Sequence, residues 1–94
     1  MPDEVPEWTW NIEKARKNLQ KHGVSFAEAV IALEDPLALT IPDRTRDEER
    51  LVTVGQNAEG AVIVVAWIPL EEGGRIVSAR KATPRERRSY EEKP

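Results

Sequence analysis

The most apolar segment of the chain reads AVIVVAWI and covers residues 61–68. Its apolar side chains occupy consecutive positions, without the alternation expected of a strand that has one face in water. A short run of this kind, rich in valine and isoleucine, is typical of a strand that is buried on both faces. We therefore predict that residues 61–68 form the central strand of a sheet.

In the segments around this central strand, apolar and polar side chains alternate with a period of two, which predicts shorter strands. Turn signals separate them: Asn-Ala-Glu-Gly over residues 57–60 and Glu-Glu-Gly-Gly over residues 71–74. Short connections of this kind join antiparallel neighbours. The remaining strands are predicted over residues 37–41, 50–55 and 75–80, with a short edge strand within residues 5–10.

Three helices are predicted from their start and stop signals. Asn11 is a favourable N-cap for a first helix that ends at Gly23, and Ser25 opens a second helix that ends before Pro36. The run TPRE at residues 83–86 places threonine at an N-cap, proline at the first helical position and glutamate at the third. The predicted fold class is α+β, a small antiparallel sheet with two N-terminal helices and one C-terminal helix.

A core for this fold needs the inward positions of the helices and of the strands. The helical spacing and the strand alternation select these positions. The predicted members are Trp8, Leu19, Phe26, Val30, Leu33, Leu37, Val52, Val54, Val62, Val64, Ala66, Ile76 and Val77.

Length and composition exclude several classes of protein. The 94 residues leave room for one small domain, which we predict over residues 1–94. The absence of cysteine and the presence of one histidine, His22, argue against a disulfide scaffold, a thiolate zinc site, a cysteine nucleophile and a multi-histidine metal site. No apolar run approaches the ~18 residues of a spanning helix, and the acidic N-terminus lacks a signal-peptide pattern. We expect a cytoplasmic protein without a metal, a cofactor or a membrane contact.

The net charge of −3 is unevenly distributed along the chain. Residues 75–88 carry six basic side chains and one acidic one, and residues 14–21 carry four basic side chains and no acid. A local basic surface on an acidic chain suits contact with a polyanion, although two solvated helix faces explain the same charges. The basic residues are Lys14, Arg16, Lys17, Lys21, Arg75, Arg80, Lys81, Arg85, Arg87 and Arg88.

The segment over residues 75–90 carries the side chains best suited to chemistry. Arg80 and Lys81 end a predicted strand, and Glu86 and Tyr90 share a face of the helix that follows. Metal-free RNA cleavage needs a base for the 2′-OH, an acid for the 5′-oxygen and cations for the developing charge. These residues offer all three types. The simpler alternatives are helix capping for Glu86 and packing against the sheet for Tyr90.

His22 has two possible roles. An imidazole exchanges protons near neutral pH, so that His22 is a candidate base. Its position beside Gly23 also suits it to pair with the carbonyl groups at the end of the first helix.

The chain carries WTWN at residues 8–11, KHGVSF at residues 21–26 and SARKAT at residues 78–83, followed by Glu86, Arg87 and Tyr90. These motifs resemble those of the BrnT toxins of bacterial type II toxin–antitoxin systems. The resemblance runs from about residue 7 to residue 91. It implies a RelE-like fold and a ribonuclease that inhibits translation by cutting RNA. It also implies a BrnA-type antitoxin, a ribbon-helix-helix protein that dimerises, binds operator DNA and forms a hetero-oligomer with the toxin.

By motif position, the family's polar residues correspond here to His22, Arg50, Arg80, Lys81, Glu86 and Tyr90. We expect catalytic roles for some residues of this surface and RNA-binding roles for others. The expected catalytic residues are Arg80, Glu86, His22, Lys81 and Tyr90, and the expected RNA-binding residues are Arg50, Arg75, Arg87 and Lys21.

One position departs from the family pattern. Leu70 stands where the family commonly has an arginine that contributes to activity. The departure implies either a weaker nuclease or replacement by a neighbouring cation such as Arg75. It also keeps two other hypotheses open: a catalytically weak co-repressor subunit that tightens operator binding through the antitoxin, and a domain whose basic face binds a protein.

Overall fold

The computed structural model describes residues 7–45 and 48–92. Within these ranges it has five strands and three helices, and the predicted α+β class is confirmed. No helix of the described ranges is long and apolar enough to cross a membrane. The elements are β1 (Trp8–Thr9), α1 (Ile12–His22), α2 (Phe26–Leu33), β2 (Leu39–Pro42), β3 (Leu51–Gln56), β4 (Val62–Leu70), β5 (Gly73–Lys81) and α3 (Pro84–Glu91).

The strands form one sheet in the order β1-β5-β4-β3-β2. Strands β2 to β5 are an antiparallel meander with β4 near its centre, as the apolar run predicted. The short strand β1 adds to the edge of β5 in parallel, with Trp8 opposite Gly74. Residues 5 and 6 of the predicted edge strand lie outside the described residues.

The predicted helix caps are confirmed. The side chain of Asn11 accepts a hydrogen bond from the Lys14 N–H (3.0 Å), and the hydroxyl of Ser25 accepts one from the Glu28 N–H (3.0 Å). Gly23 ends α1 at φ +72°, a conformation that a residue with a Cβ adopts at a cost. At the start of α3, Thr83 and Glu86 form a complete capping box. All of these contacts join residues close in sequence, which is why the sequence predicts them.

The predicted core was correct for Phe26, Val62, Val64 and Ile76 and wrong at two leucines. The side chains of Leu19 and Leu37 are 50% and 63% exposed. Asn18, the neighbour of Leu19, occupies the inward position of α1, and Leu37 lies in the turn before β2 rather than in the strand. Ile63 and Val65 are also buried, as the predicted burial of residues 61–68 on both faces implies. The other buried apolar residues of this cluster are Val24, Ala29, Ala32 and Ala79.

Alternation along β4 defines two faces of the sheet. Ile63 and Val65 point towards α1 and α2 and belong to the core cluster with Phe26. Gly55 allows α2 to approach this face, because a Cβ there would lie 2.1 Å from the Ala32 carbonyl oxygen. We call the opposite side the second face. Strand register assigns to it Leu39, Ile41, Val52, Val54, Val62, Val64, Ala66, Ile68, Arg75, Ser78 and Arg80.

Candidate functional site

The end of β5 and the start of α3 bring an arginine and a glutamate together. Arg80 lies on the second face, opposite Val64, and α3 begins three residues after β5 ends. The two Nη atoms of Arg80 donate to the two carboxylate oxygens of Glu86, each at 2.8 Å. Nη1 also donates to the Lys81 carbonyl oxygen at 3.2 Å. The guanidinium is therefore fixed in orientation while its side chain remains 41% exposed.

The capping box holds Glu86 from the other side. Its carboxylate accepts a hydrogen bond from the Thr83 N–H at 2.9 Å. The hydrogen bonds from Arg80, helped by the Thr83 backbone, lower the pKa of Glu86 to about 2 against the opposing effect of burial. The same pairing raises the pKa of Arg80. Glu86 is thus a carboxylate of low basicity, which suits it to orient Arg80 better than to accept a proton.

Arg80 keeps donors for a ligand. A guanidinium has five N–H groups in a planar fork. Among the described residues, Glu86 and the Lys81 carbonyl occupy donors of Nη1 and Nη2, and none accepts from Nε. The edge formed by Nε and Nη2 can therefore donate two parallel hydrogen bonds to a phosphate.

Among the described residues, neither the Lys81 side chain nor His22 forms a hydrogen bond with this pair. Lys81 is exposed and points to the opposite face from Arg80, because neighbouring residues of a strand alternate between its faces. Along α1, Asn18 contacts β5 at Ala79, and His22 lies one turn further in the direction in which β5 runs. Helix α1 thus carries His22 towards the end of β5, where Lys81 follows Arg80.

Asn18 joins α1 to β5, a role that no local sequence pattern predicted. Its amide donates to the carbonyl oxygens of Ala79 (2.8 Å) and Val24 (2.9 Å), and its side-chain oxygen accepts from the Ala79 N–H (3.0 Å). The side chain therefore pairs with the edge of β5 as a neighbouring strand would. The available signal was an asparagine at an inward position of an amphipathic helix, where an apolar residue is usual.

Tyr90 is part of a different group of contacts. It is buried, with 6% of its surface exposed, and its hydroxyl donates to the Asp35 carboxylate. That carboxylate also accepts from the N–H groups of Gln56 and Leu37, both at 2.9 Å. Burial and the hydrogen bond to Asp35 raise the pKa of Tyr90 to about 12. Tyr90 thus anchors α3 to the segment after α2, and its hydroxyl is engaged there.

The predicted RNA-binding residues lie on different elements of the fold. Arg75 is exposed on the second face opposite Ile68, four residues along β4 from Val64, the partner of Arg80. The two arginines are therefore about 13 Å apart along the sheet. Arg50 precedes β3 on the same side, with Nη2 at 2.7 Å from the Glu48 carboxylate and its side chain 13% exposed. Arg87 is exposed on α3, and Lys21 is exposed on α1.

Comparison with known proteins identifies the class. A family model described as the ribonuclease toxin BrnT of type II toxin–antitoxin systems matches residues 10–86. The crystal structure of the Brucella abortus ribonuclease toxin BrnT is similar, with a TM-score of 0.68 and 26% identity over 84% of this chain and 99% of that chain. No curated protein matches. The fold and the family model place the chain among the toxins of type II toxin–antitoxin systems. Within that class, it belongs to the BrnT family of ribonuclease toxins.

Proposed function

We propose that the protein is a metal-independent endoribonuclease that inhibits translation by cutting RNA. The observation that carries the proposal is the exposed guanidinium of Arg80, which Glu86 holds on one edge while the other edge keeps donors for a phosphate. The family description as a ribonuclease toxin supports the reaction class.

In the proposed reaction, the 2′-oxygen of the substrate attacks the adjacent phosphorus, and the bond from phosphorus to the 5′-oxygen breaks. A base takes the 2′-OH proton, and an acid delivers a proton to the leaving 5′-oxygen. Arg80 donates to the non-bridging oxygens, whose negative charge increases in the transition state. The products are a 2′,3′-cyclic phosphate, or the 3′-phosphate after hydrolysis, and a 5′-hydroxyl end.

The contacts favour one assignment of the base and the acid. Glu86 is bound to Arg80 and has a lowered pKa, which favours His22 as the base. The hydroxyl of Tyr90 is bound to Asp35, which favours Lys81 as the acid. Glu86 and Tyr90 then act as positioning residues.

The partner follows from the class. A toxin of a type II system has an antitoxin, and we propose a BrnA-type ribbon-helix-helix dimer that neutralises this toxin in the cytoplasm and bridges it to operator DNA. Co-expression with that antitoxin restores growth under the proposal.

The test is to induce the chain alone in a bacterial host, beside the Arg80→Ala variant and an Arg16→Gln control at an exposed position on the far side of α1. Loss of a charge-stabilising donor costs about 2–4 kcal/mol in the transition state. We expect growth arrest and RNA decay with wild type and Arg16→Gln but not with Arg80→Ala. Equal cleavage by Arg80→Ala would refute the role of that residue.

A second candidate is a catalytically weak co-repressor subunit, and Leu70 is the observation that favours it. Leu70 is 44% exposed at the end of β4, where an added cation would reach solvent. A sharp gain of toxicity in Leu70→Arg would indicate a weakened nuclease. Unchanged toxicity in Leu70→Arg would indicate that Arg75 or another cation already fills this role.

A further inference from the structure

Helix α1 has two unlike flanks on either side of Asn18. Residues of an α-helix turn by about 100° each, so that Ala15 lies about 60° to one side of Asn18. Ala15 packs against the core cluster, which shows that this side of α1 faces the side of the sheet that carries Ile63 and Val65. Lys14 and Lys21 lie about 40° and 60° to the other side, and Lys17 lies about 100° to that side.

We call Lys14, Lys17 and Lys21 the lysine flank. All three are exposed, and within residues 7–45 and 48–92 none has an ion-pair partner. The acidic residue of α1, Glu13, pairs with Arg16 on the far side of the helix. The flank extends over about 10 Å along the helix axis and carries three positive charges.

The lysine flank lies along the edge of the sheet beside Arg80. Asn18 binds the edge of β5 at Ala79, the residue before Arg80. Since the Ala15 side of α1 faces the core, the lysine flank borders β5 on the side of the second face. Arg75 and Arg80 point to that same face. The lysine flank and the two arginines therefore lie on the same side of the β5 edge.

We propose that the lysine flank binds backbone phosphates of the RNA strand on one side of the scissile bond. The proposal rests on the proposed function, and it adds Lys14 and Lys17 to the binding residues. Phosphate contacts by lysine hold a strand in place without reading its sequence.

The composition of the two flanks favours RNA over an acidic protein. Ile12 and Leu19, 72% and 50% exposed, lie on the Ala15 side of the helix, away from the lysines. Protein interfaces have apolar centres and are depleted in lysine. A flank of lysines without an apolar residue fits a phosphate backbone better.

The test measures binding of an uncleavable 2′-O-methyl RNA strand of about 12 nucleotides by fluorescence anisotropy over a range of salt concentrations. The variant is Lys14→Gln with Lys17→Gln, which keeps two good helix formers at exposed positions. The control is Arg16→Gln with Arg44→Gln, which removes the same charge from other exposed positions.

Each phosphate contact on a single strand contributes about 0.7 to the slope of log affinity against log salt. We expect the lysine variant to lower that slope by about 1.4 and the control to leave it unchanged. An unchanged slope in the lysine variant, or an equal loss in the control, overturns the proposal. So does a lysine variant that loses antitoxin binding while it keeps RNA binding.

The same samples separate this proposal from the nuclease proposal. A wild type that binds the strand with the lysine-dependent slope but leaves all-ribose RNA intact supports the flank and refutes the nuclease. If the wild type cleaves RNA and the lysine variant keeps the full salt slope, the RNA-binding role of the lysine flank is refuted and the nuclease proposal stands. Absence of binding at about 50 mM salt refutes the flank as an RNA contact.

Discussion

The guanidinium of Arg80 and the carboxylate of Glu86 form two parallel hydrogen bonds of 2.8 Å that join the end of β5 to the first turn of α3. Thr83 holds the same carboxylate through its backbone N–H. A local helix cap is thus used to orient an arginine that lies on a strand. The pair is half-exposed, so that its contribution to stability is limited by solvent screening, whereas its effect on the orientation of Arg80 is not.

Glu86→Gln is expected to lower the free energy of unfolding by about 1 kcal/mol at pH 7, because the ion pair becomes a neutral hydrogen bond. The pKa of Glu86 is lowered from 4.5 to about 2 in the folded protein. The stabilisation by the charged form is therefore present above about pH 4.5 and is lost as the pH falls towards 2. Urea unfolding of wild type and variant over this pH range measures the difference.

A difference that stays constant down to pH 2 would contradict the assignment of the shift to Glu86. RNA cleavage by the same variants separates positioning from base catalysis. As a positioning residue, Glu86→Gln keeps more activity than Glu86→Ala, since the amide oxygen still accepts from Arg80. If Glu86 were the base, Glu86→Gln would lose as much RNA cleavage activity as Arg80→Ala.

Tyr90→Phe is expected to lower the free energy of unfolding by about 1–2 kcal/mol, since a hydrogen bond to a carboxylate is lost. The pKa of Tyr90 is raised to about 12 in the folded protein. The stabilisation is complete below pH 10 and disappears as the pH rises towards 12. Tyr90 is the one tyrosine of the sequence, so that the tyrosinate absorbance reports this titration directly.

Folded Tyr90→Phe is expected to cleave RNA at nearly the wild-type rate, because the hydroxyl is engaged with Asp35. A folded variant without cleavage would instead assign the proton donor to Tyr90.

Asn18→Ala is expected to cost about 3 kcal/mol, because three buried hydrogen bonds of about 1 kcal/mol each are lost. Asn18→Asp is at least as damaging, since a carboxylate has no donor for the carbonyl oxygens of Ala79 and Val24. Thermal unfolding measures both, with the exposed Gln20→Ala as the control. A loss of less than 1 kcal/mol would show that water replaces the amide.

Gly55→Ala is expected to cost about 2 kcal/mol or more, since its Cβ would overlap the Ala32 carbonyl oxygen of α2. Gly60→Ala is the control: its φ is +85° and no atom lies within 4 Å of the added Cβ. Its cost is the conformational strain of about 1 kcal/mol alone. Equal losses in the two variants would mean that α2 moves away without resistance.

The sequence by itself determined the elements and their caps. The N-caps at Asn11, Ser25 and Thr83 and the C-cap at Gly23 depend on residues within one turn of each other. The apolar run of β4 predicted the strand near the centre of the sheet because burial on both faces requires it. The pairing of Glu86 with its own helix start was predicted for the same local reason.

The tertiary structure decided which side chains meet. Tyr90 and Asp35 are 55 residues apart, and Asn18 and Ala79 are 61 apart, so that no local pattern links them. The faces of β5 were decided in the same way. Arg80 is five positions after Arg75, and an odd spacing places two residues on opposite faces of a regular strand. The register shift opposite Ala66 and Trp67 brings them to the same face, because pairing with β4 leaves one residue of β5 unmatched.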